Sequence, residues 1–290
     1  MLHPIKPDIS LADDLLNKDR TENYKLSIRL SPDGFSFCTL DDHQNKYLSL
    51  ESYSIKPPQS NEEYISLLND IIESANFLKH RFKSVHLLYE NNHFTLIPDP
   101  LFNPEKKELY LHFNHEIDPS DEIAFDKLIN LDAFNIYTIP TSVNQWIMQA
   151  FPDAIVAHSI SVLVEGILLN FKNVNLEKTV FIQVRPTSFD VLYVKNNKVV
   201  FLNSFNYRTN EDFVYFLMYV LEQLQLNPEY ITLQLIGEIS EQAAMYILLS
   251  KYVKYCRFID RNESFLYSRI FDQLPSHTFY NLLNLNQCEL

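Results

Sequence analysis

Leu26–Leu40, LSIRLSPDGFSFCTL, and Val180–Val194, VFIQVRPTSFDVLYV, align without a gap. Ile28 meets Ile182, Pro32 meets Pro186 and Phe35 meets Phe189. Leu30 meets Val184, Phe37 meets Val191 and Leu40 meets Val194. Each stretch reads as a strand, a proline-containing turn and a second strand, with the period-two alternation of half-buried strands. A third strand follows in both places, at Lys46–Tyr53 and Lys198–Phe205, the later one across an Asn196-Asn197 turn. Helices then open at Asn61-Glu62-Glu63 and Asn210-Glu211-Asp212, where each Asn is the expected N-cap and the acids suit the helix dipole. Short strands follow at Val85–Tyr89 and Ile231–Ile236. The chain thus repeats a βββαβ order, and the shared turn proline and acidic helix starts argue for internal duplication.

Elsewhere the pattern predicts strands at Phe94–Pro98, Leu109–Phe113, Ile136–Ile139 and Ala154–Ala157. It predicts helices at Phe125–Leu131, after an acidic cap at Asp121-Glu122, at Ser142–Phe151 and at Ser161–Phe171, the last capped by Ser159 or Ser161. In the second half it predicts a helix at Glu241–Tyr252, a strand at Tyr255–Ile259 and a helix at Phe265–Leu274. The expected organisation is an extension at 1–23 with a weak helix at Leu11–Asn17, then a first domain at 24–158. That domain carries an irregular insertion at about 91–151. A second domain, 159–290, begins with the crossover helix.

Composition narrows the chemistry. The chain has 290 residues but only three glycines, Gly34, Gly166 and Gly237, against roughly 20 at the usual share of about 7%. No P-loop, dinucleotide fingerprint or kinase glycine loop is present. The net charge is -13, from 24 Lys and Arg against 37 Asp and Glu, which disfavours nucleic acid and anionic membrane. Cys38, Cys256 and Cys288 are widely spaced, without a C-x-x-C, as in a reducing compartment. No apolar run has the length of a signal peptide or a membrane span. A cytoplasmic protein is expected.

Two local clusters are set aside. His112-Phe113-Asn114-His115-Glu116 lacks the H-E-x-x-H spacing, so no metal is expected. His158-Ser159-Ile160-Ser161 lacks the glycines of a nucleophile elbow. Ile139–Phe151, with Trp146, Met148 and Phe151, reads as a buried face or a protein-binding patch.

The duplicated βββαβα unit, joined by a crossover helix, resembles the actin-like ATPase superfamily of actin, the heat-shock chaperone ATPase domain, sugar kinases and pilus-assembly proteins. The resemblance runs from about residue 24 to 274. It is strongest at Ser188-Phe189-Asp190-Val191, which looks like the family's second phosphate hairpin. The whole chain also resembles an uncharacterised bacterial family with this fold and no assigned activity. The resemblance implies an α/β fold of duplicated actin-like (ribonuclease H-like) subunits around a central cleft.

It also exposes departures. Arg29 and Ser31 stand where the family's first hairpin carries Asp and Gly. Gln183, Arg185 and Pro186 stand where the second carries an acid and glycines. Gly237, in Leu235-Ile236-Gly237-Glu238, keeps one of the two glycines that receive the adenosine. Proline offers no N–H to a phosphate oxygen, and phosphoryl transfer rests on metal and charge stabilisation that these changes remove. The reading is therefore a catalytically degenerate scaffold or interaction module. It has no catalytic residue, metal or cofactor; its partner is another protein, and self-association is compatible with it. The alternative is a ligand-binding protein or enzyme for a nucleotide or phosphorylated metabolite in a rebuilt interdomain cleft. Its candidate residues are Arg29, Ser31, Arg185, Thr187, Gly237 and Glu238. The competing view of the arginines is that they fill vacated space and pair with acids.

Overall fold

The computed structural model describes residues 5–176, 178–196 and 198–288. The first four residues of the expected extension, the last two of the tail, and Asn197 of the expected turn lie outside them. Asn196 is described and has the left-handed φ of +53° that such a turn uses. Backbone contacts divide the chain into two compact units. One comprises 1–166, 263–273 and 281–290, the other 167–262 and 274–280. The late return of 263–273 and 281–290 to the first unit is something a single boundary at 158/159 does not capture.

The first unit is built on a sheet of seven strands. These are β1 (Ile9–Ala12), β2 (Tyr24–Ser31), β3 (Gly34–Asp41), β4 (Lys46–Ser54), β5 (Ser84–Tyr89) and β9 (Ala154–His158), with the short β15 (Leu266–Tyr267) also on β4. Helix α1 (Asn61–Ser74) lies between β4 and β5 in sequence. The order is β1-β4-β3-β2-β5-β9. A separate three-stranded antiparallel sheet, β6 (Phe94–Pro98), β8 (Ala133–Pro140) and β7 (Asp121–Leu128), occupies the segment expected to be irregular, with α2 (Lys107–His112) and α3 (Thr141–Ala150). Helix α4 (Ser159–Asn170) follows, and the division between units falls within it.

The second unit has a five-stranded sheet, ordered β12 (Lys198–Asn206), β11 (Ser188–Lys195), β10 (Thr179–Val184), β13 (Thr232–Gly237) and β14 (Tyr255–Phe258). Helices α5 (Asn210–Gln223) and α6 (Ala244–Leu249) complete it, and α7 (Tyr280–Asn284) comes near the end of the chain. This sheet reproduces the order β4-β3-β2-β5-β9 strand for strand. The agreement extends to an irregularity. β3 and β4 slip register between Thr39 and Leu40; β11 and β12 slip between Tyr193 and Val194, the positions that the sequence alignment sets opposite. A shared bulge is hard to explain except by duplication, because bulges belong to a particular backbone rather than to β-propensity.

Both central hairpin strands are buried on both faces: every residue of β3, and Ser188–Val194 of β11. The period-two pattern predicts half-buried strands, and the structure corrects it: the alternation here does not record exposure. Each face of β3 mixes apolar residues with a small polar one that bonds across the sheet, Ser36 on one face and Thr39 on the other. Ser36 Oγ meets Ser52 Oγ at 2.9 Å, and Thr39 Oγ1 meets Ser49 Oγ at 2.6 Å. Each bond satisfies a polar group that would be costly to bury alone.

Several sequence expectations need correcting. The caps of α1 and α5 lie one residue earlier than Asn61 and Asn210. Ser60 accepts from the Glu63 N–H at 3.3 Å, and Thr209 forms a capping box with Asp212. Hydroxyl side chains take the extended cap position and leave each Asn as the first helical residue. Residues 109–113 are largely helical rather than a strand. Of the alternating Leu109, Leu111 and Phe113, only Leu111 is buried. Phe125–Leu131 is not a helix, because β7 pairs with β8 over its full length. Leu11–Asn17 is not a helix either: β1 adds to β4, and Asp13 Oδ1 then accepts the Leu15 N–H in a tight turn. Phe265–Leu274 is a two-residue strand and a 3-10 turn, with Phe265, Tyr267 and Phe271 packed around the buried Tyr47 ring. Glu241–Tyr252 is helical only over α6. Helix α4 starts at Ser159, so Ser161 lies within its first turn and does not cap it.

Candidate functional site

The hairpin turns and the end of β13 are where the candidate residues fall, and each unit builds its own version. In the first, Arg29 projects from β2 and meets the buried Glu90 twice. Its Nε donates to Oε2 at 3.2 Å and its NH2 to Oε1 at 3.0 Å. Asp33 Oδ1 lies 3.7 Å from the same guanidinium. The Ser31 hydroxyl donates to Asp33 Oδ1 at 2.6 Å. The Ser31 carbonyl accepts the Tyr64 hydroxyl of α1 at 2.8 Å.

In the second unit, Arg185 and Asp190 face each other across the β10–β11 turn. Arg185 is 5% exposed and Asp190 fully buried. NH1 donates to Oδ2 and NH2 to Oδ1, both at 2.7 Å, a bidentate pair. Arg185 Nε donates to Ser188 Oγ at 2.9 Å. Ser204 Oγ also bonds the Asp190 carboxylate. In the repeat, Arg185 takes the place of Ser31, Asp190 that of Ser36 and Ser204 that of Ser52. A buried ion pair in one copy thus stands where the other has hydroxyls.

Backbone contacts match as well. Glu90 N–H donates to the Leu30 carbonyl and Glu238 N–H to the Val184 carbonyl, both at 2.9 Å. Ile55 N–H donates to Asp33 O at 2.8 Å and Tyr207 N–H to Thr187 O at 3.0 Å. The Arg185 carbonyl accepts the Tyr207 hydroxyl at 2.5 Å, as Ser31 accepts that of Tyr64. Thr187 is exposed on its turn, and Glu238 is exposed beyond β13. The structure therefore brings Arg29 and Ser31 together in one unit, and Arg185, Thr187, Gly237 and Glu238 around the β10 end in the other.

Gly237 has a backbone reason to be glycine. Its φ is +89°, and a Cβ there would lie 2.3 Å from the Val184 carbonyl oxygen. Its N–H donates to the His277 carbonyl at 2.9 Å, and His277 Nε2 lies 2.7 Å from the Ile239 carbonyl. His277 stacks on Phe258. The partners that sequence reading missed are Glu90, Asp190, Ser188, Tyr64, Tyr207 and His277. Ser188 and Asp190 carried a signal, as members of the quoted Ser188-Phe189-Asp190-Val191 run.

The cluster around His158 is a buried network rather than a nucleophile. Ser161 Oγ donates to Asp126 Oδ2 at 2.6 Å, and the His158 N–H donates to the same oxygen at 2.8 Å. Tyr137 donates to Asp126 Oδ1 at 3.2 Å. Asn135 Nδ2 donates to Ser161 Oγ at 2.9 Å. His158 Nδ1 receives the Ile160 N–H at 3.3 Å, a cap contact, and its Nε2 faces Asn91 Oδ1 at 3.1 Å. The hydroxyl thus bonds a carboxylate instead of the imidazole that would activate it, and both are sealed from solvent.

Burial pushes the Asp126 carboxyl up to about 6, against the lowering effect of its three hydrogen bonds. Its folded value lies above its unfolded one, so its contribution to stability is full below about pH 4. That contribution is lost as pH rises through about 6, by about 3 kcal/mol at most. Asp126→Asn is expected to remove that pH dependence, read as urea midpoints at pH 4.5 and 7. An unchanged pH profile would contradict the assignment.

Burial raises all three thiols, Cys256 to about 11 and Cys288 to about 12, so none is a thiolate nucleophile at neutral pH. His115 Nε2 bonds the Phe94 carbonyl at 2.9 Å. Among the described residues no cluster of three or more His, Cys, Asp or Glu is placed to hold a metal. No helix among them is long and apolar enough to cross a membrane. Trp146 and Phe151 are buried, and Trp146 Nε1 donates to Asn69 Oδ1 at 2.8 Å, so the Ile139–Phe151 aromatics are chiefly packing. An open groove of about 610 Å³ runs along α5, by Tyr215, Met218, Tyr219, Glu222, Leu226 and Pro228. None of the candidate residues lines it.

Residues 13–256 match the model of a family described as a protein of unknown function, DUF3822. No curated protein matches. A Bacteroides thetaiotaomicron VPI-5482 protein with actin-like ATPase fold and unknown function is similar, with a TM-score of 0.80 at 24% identity. The match covers 95% of this chain and 100% of that one. A chain of the PilM–PilN type IV pilus biogenesis complex is similar at a TM-score of 0.62 and 12% identity, over 91% and 97% of the two chains. Ethanolamine utilization protein EutJ from Carboxydothermus hydrogenoformans gives 0.51 and 7%, over 95% and 92%. At these identities the likeness establishes the fold alone, and it is the α/β actin-like ATPase fold that the family resemblance implies.

Proposed function

The chain belongs to the DUF3822 family, and on that premise we propose that it is a catalytically degenerate actin-like protein that works as a scaffold or protein-interaction module. One observation carries the reading. The charged side chains at the two hairpin turns are already engaged by the chain's own groups, Arg29 by Glu90 and Arg185 by Asp190 and Ser188. A phosphate at either turn would compete with a carboxylate held at hydrogen-bond distance, and in the second unit with one that is fully buried. Tyrosine hydroxyls occupy the turn carbonyls at Ser31 and Arg185. The glycine at 237 answers to the Val184 carbonyl without any ligand.

An interaction role is further supported by Tyr215 and Tyr219, exposed beside Met218 on α5. Such side chains are frequent anchors of protein interfaces. A chain of the same fold lies in the PilM–PilN complex. The alternative, a ligand read by Arg29, Arg185, Thr187 and Gly237, has to break these internal bonds first. The test is phosphate release from ATP with Mg²⁺ by the purified chain. Release at the buffer rate is expected; turnover that Arg185→Asp changes but Lys198→Glu does not would overturn the reading.

A further inference from the structure

The two sheets differ at one edge. In the first unit the outer side of β4 is covered. β1 runs antiparallel to it, with Ile9 opposite Ser52 and Ala12 opposite Ser49, and β15 pairs further along at Lys46 and Tyr47. Two aspartates bracket β1. Asp8 Oδ2 accepts the Ser54 N–H at 2.6 Å, and Asp13 Oδ2 meets Lys46 Nζ at 3.3 Å.

In the second unit the counterpart β12 ends its sheet, with no strand beyond it among the described residues. The repeat matches Lys46 with Lys198, Leu48 with Val200, Leu50 with Leu202 and Ser52 with Ser204. Val200 is 51% exposed. Lys198 is exposed, and no acid lies within ion-pair distance of it among the described residues. The Ser204 N–H turns outward, as the Ser52 carbonyl does in the first copy, and is met by its neighbour Asn203 Oδ1 at 2.9 Å. A nine-residue edge is a template for another strand unless charge, proline, a bulge or a covering segment blunts it, and the bulge in β12 is one that β4 shares while still accepting β1. β12 carries a single charge, at its first residue, and no proline.

We propose that the outer edge of β12 docks an extended segment of another protein, added as an antiparallel strand. The segment has alternating small and apolar residues and ends in a carboxylate that pairs with Lys198. The first unit supplies the template, Asp8-Ile9-Ser10-Leu11-Ala12-Asp13 on β4, and Lys198 supplies the unmatched charge. A second copy of this chain joined β12 to β12 fits less well. β12 contains no acid, so no register of that pair brings a carboxylate to Lys198. The inference goes beyond the reading of the hairpins and does not depend on it.

The probe is a fluorophore-labelled peptide of residues 6–14, titrated into the full chain and followed by anisotropy. Saturable binding is expected, weakened roughly tenfold or more by Lys198→Glu, as for a close charge pair made repulsive. The change of Asp13 to Lys in the peptide should restore binding to that variant. Leu202→Pro, at the position matched with Leu50, which faces Leu11 of β1 in the first unit, removes an N–H on the outer edge and should abolish binding while circular dichroism and the melting curve show a folded chain. Lys46→Glu should leave binding unchanged. Absence of binding at millimolar peptide overturns the proposal. So does a loss caused by Lys46→Glu instead of Lys198→Glu, which would mean exchange at the first unit's edge.

Discussion

Arg185→Ala is expected to destabilise the protein by about 3–5 kcal/mol, the usual cost of leaving one member of a buried ion pair without its partner. Asp190 is fully buried, and two of its bonds come from this guanidinium at 2.7 Å. The Ser204 hydroxyl bonds the same carboxylate but brings no compensating charge. Arg29→Ala should cost less, because the Arg29 side chain is 14% exposed and water can reach what it leaves. The first unit also predicts the remedy. Ser31 and Ser36 stand where Arg185 and Asp190 do, so Arg185→Ser combined with Asp190→Ser should recover most of the single-variant loss. Such non-additivity is expected of residues in contact. Urea unfolding of the two single variants and the double variant measures it. A loss below about 1 kcal/mol in Arg185→Ala, the size of an exposed pair, would remove the ion pair as the reason for arginine here.

The second large effect is expected of Gly237→Ala. The left-handed backbone costs a side chain about 1–3 kcal/mol, and forcing a Cβ to within 2.3 Å of the Val184 oxygen adds about 1–3 more. The contact lies where β10 and β13 end together, Val184 opposite Gly237, so relief requires the sheet to part. Gly34→Ala is the comparison. Its backbone is not left-handed, and its Cβ would meet the Tyr53 carbonyl at 3.1 Å. A thermal melt should show Gly237→Ala several degrees below Gly34→Ala, at about 2–4 °C per kcal/mol for a chain of this size or somewhat smaller. Equal melting temperatures would show that the β10–β13 end yields easily, and would leave glycine at 237 to be explained by a ligand.

The hairpins were legible in the sequence because alternation, turn proline and helix start recur at matching places. Their partners were not. Glu90 is sixty-one residues from Arg29, and only the parallel pairing of β2 with β5 brings it beside the guanidinium. Asp190 was visible, but its use depends on which face of the turn Arg185 takes. The helix α2 had a signal that alternation masked. Asn103 caps Pro104 and Glu105, and the chain then coils into α2. At Phe125–Leu131 the acidic start at Asp121-Glu122 suggested a helix, but pairing with β8 overrode local preference. Asp126 gave no local sign of its role, since its three donors come from the backbone of β9 and from β8 and α4.

The most direct measurement is a calorimetric titration of the intact chain with ATP and Mg²⁺ at low salt, beside a catalytically active member of the fold. No saturable heat and no rise in melting temperature are expected, because the hairpin groups are held by Glu90, Asp190 and the turn tyrosines. Saturable binding that Arg29→Ala or Arg185→Ala alters would contradict this.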